Sequence, residues 1–361
     1  MERSTCCVCA DGSSLTERLV LHSFPITYSP TNQPLSSDKT TDIHWGACNR
    51  CGSVQLMNLI DPLILYERPH SDSSQSALWR RHHSLFSEFI SASITGNENI
   101  VEIGGSSGNL ATHLQTKVTS YSIMDISKYE IPASLKINYI QANCETCVFK
   151  PDDTLILSHV FEHLYRPFEF IKNCSQQKVR DIYISNPVMK TNGDFIPIDI
   201  EHTYFSDDID VQNMFERGRY TLVSKTLFEN HSYFFHFRYD PAAQPTEILR
   251  PERADEIIKL FEMRQKMLEK LTLAGEVFIA PSGQFGQIFY YYTKYDKIIC
   301  FLDNDKDKQG YRVYGTPHMT HPFEKLRNLK SPRVIVFTRH YSDEIISQIN
   351  NINPTSKVFK V

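Results

Sequence analysis

The residues best suited to chemistry stand at the start of the chain. Cys6-x2-Cys9 and Cys48-x2-Cys51 are paired thiols that can turn four sulfurs onto one ion. Thiolates two residues apart form a knuckle, and two knuckles complete a tetrahedral shell. The thirty-eight residues between the pairs read as a loop, whose closure entropy grows only logarithmically with length. Turn-forming residues follow each pair, Ala10-Asp11-Gly12 after Cys9 and Gly52 after Cys51. Cys7 is an adjacent thiol able to stand in for Cys6, so the ligand set keeps one ambiguity. Nine cysteines and no secretory leader point to a reducing, cytoplasmic setting rather than to a disulfide framework. The expected ion is structural Zn2+, because four cysteine ligands leave no open position for catalysis. Cys144-x2-Cys147 has no second pair near it and reads as two idle thiols.

A second chemical signature is the run Val101-Glu102-Ile103-Gly104-Gly105-Ser106-Ser107-Gly108, which leads from a strand through a glycine turn toward a helix. Glycines allow close approach of a ligand and positive φ, and helix-terminal amides then face its polar groups. The pattern is Glu-x-Gly-Gly-x-x-Gly rather than Gly-x-Gly-x-x-Gly, which weakens a dinucleotide reading. Asp125 ends the next strand, where a carboxylate can accept both hydroxyls of a ribose. Ser158-His159-Val160-Phe161-Glu162-His163-Leu164 follows the fourth strand, at the strand ends where open α/β sheets place their sites. Candidate cofactor contacts are therefore Glu102, Gly104, Gly105, Ser106, Gly108, Asp125, Ser158 and His159. S-adenosylmethionine contains the ribose but no pyrophosphate, so it needs no tight glycine cradle.

These groups need elements to hold them. A helix is predicted over 78–94, with Leu78, Trp79, Leu85, Phe86, Phe89 and Ile90 on one face. Strands are expected at 100–103, 121–124, 137–140, 154–157 and 182–185, alternating with helices as in a parallel sheet covered on both faces. The runs 219–227 and 232–238 read as a closing antiparallel hairpin, and 240–245 as a linker. A second α/β unit follows, with a helix at 254–273 and strands at 277–279, 298–302 and 334–337. It carries its own turn, Ala280-Pro281-Ser282-Gly283, and Asp303 at the next strand end. Phe289-Tyr290-Tyr291-Tyr292 is expected to be helix core. The organisation is thus a module at 1–62, a core at 63–245 and a Rossmann-like unit at 246–361.

A formal charge of −4 and a pI near 6.4 argue against a general nucleic-acid or membrane-surface binder. No apolar run reaches membrane-spanning length.

In the order and spacing of these parts the chain resembles the nucleotide-sugar C-methyltransferases that act on 4-keto deoxysugars. The resemblance runs through the paired cysteine module ending in Cys51-Gly52-Ser53-Val54-Gln55-Leu56, the methyltransferase core, and a C-terminal stretch with Phe301-Leu302-Asp303-Asn304-Asp305 and Asp343-Glu344-Ile345-Ile346. It implies a class I methyltransferase doubly wound sheet, S-adenosylmethionine as cofactor, a nucleotide-sugar substrate and a monomer or weak homodimer. It also implies a general base in a His-Glu-His-type segment after the fifth strand, which here is Asp199-Ile200-Glu201-His202-Thr203-Tyr204. His202 falls on the base position and Glu201 on its acidic companion, while His163 matches a second active-site histidine. Two positions differ from the family pattern. Asp199 replaces a tyrosine three residues before the base, and Pro69-His70-Ser71 replaces an aromatic pair.

Methylating carbon beside a ketone requires a base for the α-proton and a donor for the enolate oxygen. Imidazole suits the first task near neutral pH. Adjacent side chains rarely point the same way, so help for His202 is expected from Glu201 or from Asp199, three residues before it. His163 or Tyr204 is the candidate oxyanion donor. Three other readings compete: O- or N-methylation of a related sugar, a non-catalytic nucleotide-sugar-binding protein, and an RNA methyltransferase. The absence of a basic stripe disfavours the last.

Overall fold

The computed structural model describes residues 1–9, 12–66, 76–191, 194–195, 200–244, 249–339 and 341–361. Their contacts gather into two units. One comprises Met1–Leu19, His44–Phe195 and Ile200–Ile258, and the other Val20–Ile43 with Lys259–Val361. Among the described residues no helix is long and apolar enough to cross a membrane.

The gap between the cysteine pairs is not a loop. Most of it is strand, β1 (Leu15–Pro25) and β2 (Thr40–Cys48), and β2 pairs antiparallel with β3 (Val54–Leu56). Segment Val20–Ile43 carries Asp38, whose carboxylate forms a bidentate pair with Arg312 of its own unit at 2.6 Å on both oxygens.

The first unit is built on a seven-stranded sheet. Its strands are β4 (Asn99–Ile103), β5 (Ser120–Asp125), β6 (Asn138–Gln141), β7 (Asp153–Ser158), β8 (Asp181–Pro187), β9 (Tyr220–Phe228) and β10 (Ser232–Tyr239). The order is β9–β10–β8–β7–β4–β5–β6. All pairs from β8 to β6 are parallel, whereas β10 runs antiparallel to both β8 and β9. This is the class I methyltransferase sheet, with the expected hairpin closing one edge. Central strands read as unbroken apolar runs because both faces are covered: Leu155, Ile156, Leu157, Ile182, Tyr183 and Ile184 are all buried. The chain leaves β4 toward β5 and β6, then returns to β7 on the other side, so a crevice opens between β4 and β7 at the strand ends.

Helix α1 (Ala77–Ser91) starts where Ser76 accepts a hydrogen bond from the Trp79 amide. Its buried stripe runs Leu78, His82, Phe86 and Ile90 at i, i+4 spacing. That stripe lies one step round from the expected face, so Leu85 is exposed and a histidine takes a core position. Helices α2 (Pro167–Gln176) and α3 (Asp208–Arg217) complete the covering elements used below. Asp207 and Asp210 form a capping box at the start of α3 and also take the guanidinium groups of Arg250 and Arg253.

In the second unit, β11 (Val277–Ala280), β12 (Ile298–Leu302), β13 (Thr320–His321), β14 (Arg333–Val336) and β15 (Lys357–Lys360) form a parallel sheet in the order β13–β12–β11–β14–β15. It is the Rossmann-like arrangement anticipated from the alternation. The carboxylate of Asp303 is occupied within its own loop, accepting from the Ser282 amide at 3.2 Å, the Ser282 hydroxyl at 2.9 Å and the Lys308 ammonium at 3.3 Å. Of the run expected as core, Phe289 is buried in the helix Gln284–Thr293, whereas Tyr290, Tyr291 and Tyr292 are only partly buried.

Gly52 shows how tightly the second cysteine knuckle is packed. Its φ is +72°, and a Cβ there would lie 2.1 Å from the carbonyl oxygen of Arg250. Gly52→Ala therefore combines left-handed strain with a clash against backbone. Urea denaturation is expected to show a loss of about 2 kcal/mol or more.

Candidate active site and metal centre

The four cysteines converge. Sulfurs of Cys6 and Cys51 lie 3.7 Å apart, as do those of Cys9 and Cys48, and all four fall within 4.8 Å of one another. Tetrahedral geometry with Zn–S bonds of about 2.3 Å demands sulfur–sulfur edges of roughly 3.8 Å, so the donor set fits zinc. Outer contacts support the ligands: the Cys6 sulfur accepts from the Cys9 amide at 3.2 Å and the Gln55 amide at 2.8 Å. Cys7 is not part of the set. Its amide donates to Gln55 Oε1, and loss of solvent pushes its thiol up to about 12. Cys144 and Cys147 belong to no metal-ligating group among the described residues, and burial raises both thiols.

A cavity of about 260 Å³ opens at the crevice beside β4. Gly104, Ser106, Asp125, His159, His163 and Glu201 all face it. Gly104 sits at φ +67°, and a Cβ there would lie 2.4 Å from Val160 Cγ2, so only glycine lets the loops after β4 and β7 meet. Asp125 accepts from the amides of Ser106 at 3.3 Å and Ser127 at 3.0 Å, which fixes its carboxylate at the cavity wall.

Other predicted cofactor residues act from behind. Glu102 is buried beneath Gly105 and accepts from Tyr121 at 2.8 Å, while burial pushes its carboxyl up to about 8. Gly108 packs against Leu135 and Ile123 rather than the cavity. Ser158 buries its hydroxyl at the end of β7, outside the cavity lining. The helix expected after the glycine loop is a single four-residue turn, Ala111–Leu114.

His159 adopts φ +54° and bonds Ser232 Oγ at 2.7 Å. Behind it His82, His231 and Trp79 form an edge-to-face aromatic cluster. His82 is fully buried, bonds Ser185 Oγ at 2.7 Å, and is held neutral by burial and by its neighbouring imidazoles. Nothing in the sequence pattern marked this cluster.

The segment bearing His202 is held by strand addition. Leu56 donates to Thr203 O at 2.9 Å and Phe205 to Val54 O at 2.8 Å, with Gln55 and Tyr204 bridged antiparallel. Arg3, 7% exposed, donates to Thr203 O and Tyr165 O at 2.6 Å each and to Leu56 O at 3.2 Å. His202 is thereby brought to His163, with ring centroids 4.9 Å apart. Donor atoms of Glu162, His163 and His202 lie within 4.8 Å of one another. Glu162, given no role in the sequence reading, also sits 3.5 Å from His159. Tyr66 reaches His163 Nδ1 at 3.3 Å.

Tyr204 is not brought to the cavity. It is buried, and its hydroxyl donates to Phe161 O at 2.6 Å, so it buttresses the loop after β7. Asp199 and Pro69-His70-Ser71 lie outside the described residues.

No known family model matches the sequence, and no curated protein is detectably similar to it. Solved structures align with part of the chain. Magnesium protoporphyrin IX methyltransferase from Synechocystis PCC 6803 is 13% identical, with 48% of this chain and 91% of that chain covered at a TM-score of 0.38. A SAM-dependent methyltransferase from Aquifex aeolicus is 12% identical over 46% and 93%, at 0.37. The 1,6-didemethyltoxoflavin-N1-methyltransferase of Burkholderia thailandensis is 10% identical over 46% and 80%, also at 0.37.

Two outcomes test this geometry. Metal analysis should find one structural zinc in Cys7→Ser, as in the parent, and loss of zinc with unfolding of the N-terminal module in Cys6→Ser. The buried Glu102 carboxyl keeps its proton to about pH 8, whereas its ordinary value is 4.5. The native state thus holds an extra proton in that window, and stability falls as pH rises through it. Glu102→Gln should flatten that decline, gaining up to roughly 3 kcal/mol at pH 7 and nothing near pH 4, as read from urea midpoints.

Proposed function

We propose that the protein is an S-adenosylmethionine-dependent methyltransferase that adds a methyl group to carbon in a nucleotide-linked 4-keto sugar. The observation carrying this reading is one cavity whose lining joins the Asp125 carboxylate to His163 and Glu201, with the His202 ring outside that lining but 4.9 Å from the His163 ring. A glycine loop and a strand-end carboxylate make the nucleoside half, and paired imidazoles make the acid–base half.

The charge of the cavity supports the cofactor. Its described lining includes Asp125, Glu145 and Glu201 but no lysine or arginine. Such a wall favours a cationic ligand and disfavours the diphosphate of a dinucleotide. Asp125 would hold the ribose hydroxyls, with Ile103, Met124 and Ile126 as apolar walls for the adenine end. When bound, the cofactor supplies an electrophilic methyl group on a sulfonium.

The remaining chemistry belongs to the chain. His202 removes the proton beside the ketone, and its ring becomes imidazolium as the enolate forms. His163, fixed through Nδ1 by Tyr66, stands where it can donate toward the developing oxygen charge. Tyr204, turned onto Phe161, holds the loop that carries His163. Zinc takes no part in the reaction; it would fix the module whose β3 carries the base segment.

The test is incubation with nucleotide 4-keto sugars in D2O, with and without S-adenosylmethionine, followed by mass analysis. Gain of one methyl with the cofactor, and deuterium uptake at the adjacent carbon without it, are expected. His202→Asn should lower both rates by about a hundredfold or more. Methyl gain without exchange would reject carbon methylation in favour of oxygen or nitrogen.

A further inference from the structure

Glu162 is the most unusual ionisable group in the first unit. It is 3% exposed, and neither carboxylate oxygen has a hydrogen-bond partner. A buried carboxylate left so costs several kcal/mol unless opposite charge faces it. What faces it is imidazole on three sides: His159 Nδ1 at 3.5 Å, His163 Nε2 at 3.9 Å, and His202 within 4.8 Å. The Tyr204 phenol is a further titratable neighbour; burial raises its pKa, and the charges of Cys7 and Glu162 add to the rise.

We propose that Glu162 is the positioning acid of the base, its carboxylate balancing the imidazolium that forms on His202 when the substrate proton is taken. The inference rests on the reading of His202 as the base. It assigns to Glu162 the role that adjacency suggests for Glu201. Glu201 neighbours His202 along the chain, but Glu162 reaches it from a different loop and holds His163 and His159 as well. The proton balance is simple. The carbon–hydrogen bond breaks, its proton goes to the His202 ring nitrogen, the electron pair enters the enolate, and Glu162 stays ionised throughout. Burial alone pushes the Glu162 carboxyl up, and His163 and His202 pull it back, as expected of groups sharing one charge.

The deciding experiment is NMR titration of the histidine ring signals in the full-length, zinc-loaded protein without substrate. His202→Asn and His163→Asn spectra assign the two rings. In Glu162→Gln both rings should titrate lower by about one unit or more, because the negative charge favouring imidazolium is gone. Glu162→Asp should recover part of the shift, and it decides the matter if the glutamine variant does not fold. Unchanged titration in the folded variants overturns the proposal. In deuterium exchange, the acidic limb of the pH profile should move to lower pH in Glu162→Gln and the plateau fall about tenfold or more. An enzyme that shows no exchange sinks the functional reading, while the ring titration still decides the role of Glu162. Zn2+ or Mn2+ binding as a second ion, lost in Glu162→Gln, would make the cluster a metal site and also overturn it.

Discussion

The first unit depends on a short stretch of backbone pairing, three residues of β3 against Thr203, Tyr204 and Phe205. A three-residue strand has no stability of its own. It is held at one end by the cysteine knuckle that precedes it and at the other, Leu56, by Arg3, whose guanidinium also donates to the carbonyls of Thr203 and Tyr165. Burying that cation is tolerable because its hydrogen bonds are charge-assisted and short. The four-cysteine cluster and the segment bearing His202 are thereby joined through β3. An ion held by those cysteines would steady the position of His202, since its binding energy would be folding energy of the module.

The second organising feature is the reversal of strand order between β4 and β7. It places three loops over one crevice, and each brings a different part of the chemistry. The loop after β4 brings backbone and Gly104, that after β5 brings Asp125 and Ser127, and that after β7 brings His159, Glu162 and His163. The second loop's register is fixed by Asp125, which binds the amides on both sides of the cavity wall. The left-handed conformations at Gly104, Ser106 and His159 cluster at this same edge. Backbone strain of this kind persists only where packing over-determines it, as the close approach of Gly104 to Val160 does here.

Much of this was legible in sequence, for physical reasons. Strands buried on both faces read as plain apolar runs, and the hairpin reads by alternation, so every expected strand of the seven-stranded sheet is present within a residue or three. Cysteine spacing predicted the ligand set because two-residue knuckles are local geometry. What sequence did not show is tertiary. Cys7 was excluded by Gln55, which comes from β3. The face of α1 turned one step because His82 found Ser185 across the sheet, a partner no helical periodicity encodes. Tyr204 was read as a donor from its place beside His202, yet its hydroxyl is spent on the Phe161 carbonyl, a tertiary partner. Glu201, next to His202 in the chain, lines the cavity, whereas Glu162 comes to His202 from the loop after β7.

Charge then explains why one fold edge can host both halves of the proposed reaction. The described cavity wall holds acids and imidazoles and no lysine or arginine. The imidazole buried behind it, His82, is kept neutral by its surroundings. A fixed cation on this wall would oppose a sulfonium and would also depress the basicity of His202. Acids favour both the bound cation and the imidazolium that forms in the transition state, so a single arrangement serves binding and proton transfer. The diphosphate of a nucleotide sugar has the opposite need. With no lysine or arginine on the described wall, the phosphates of the proposed substrate would be held by groups outside the crevice, with the sugar ring toward His163. Substrate selection and methyl transfer would then rest on separate sets of residues, and the acids that tune the base would be free of any part in recognising the nucleotide.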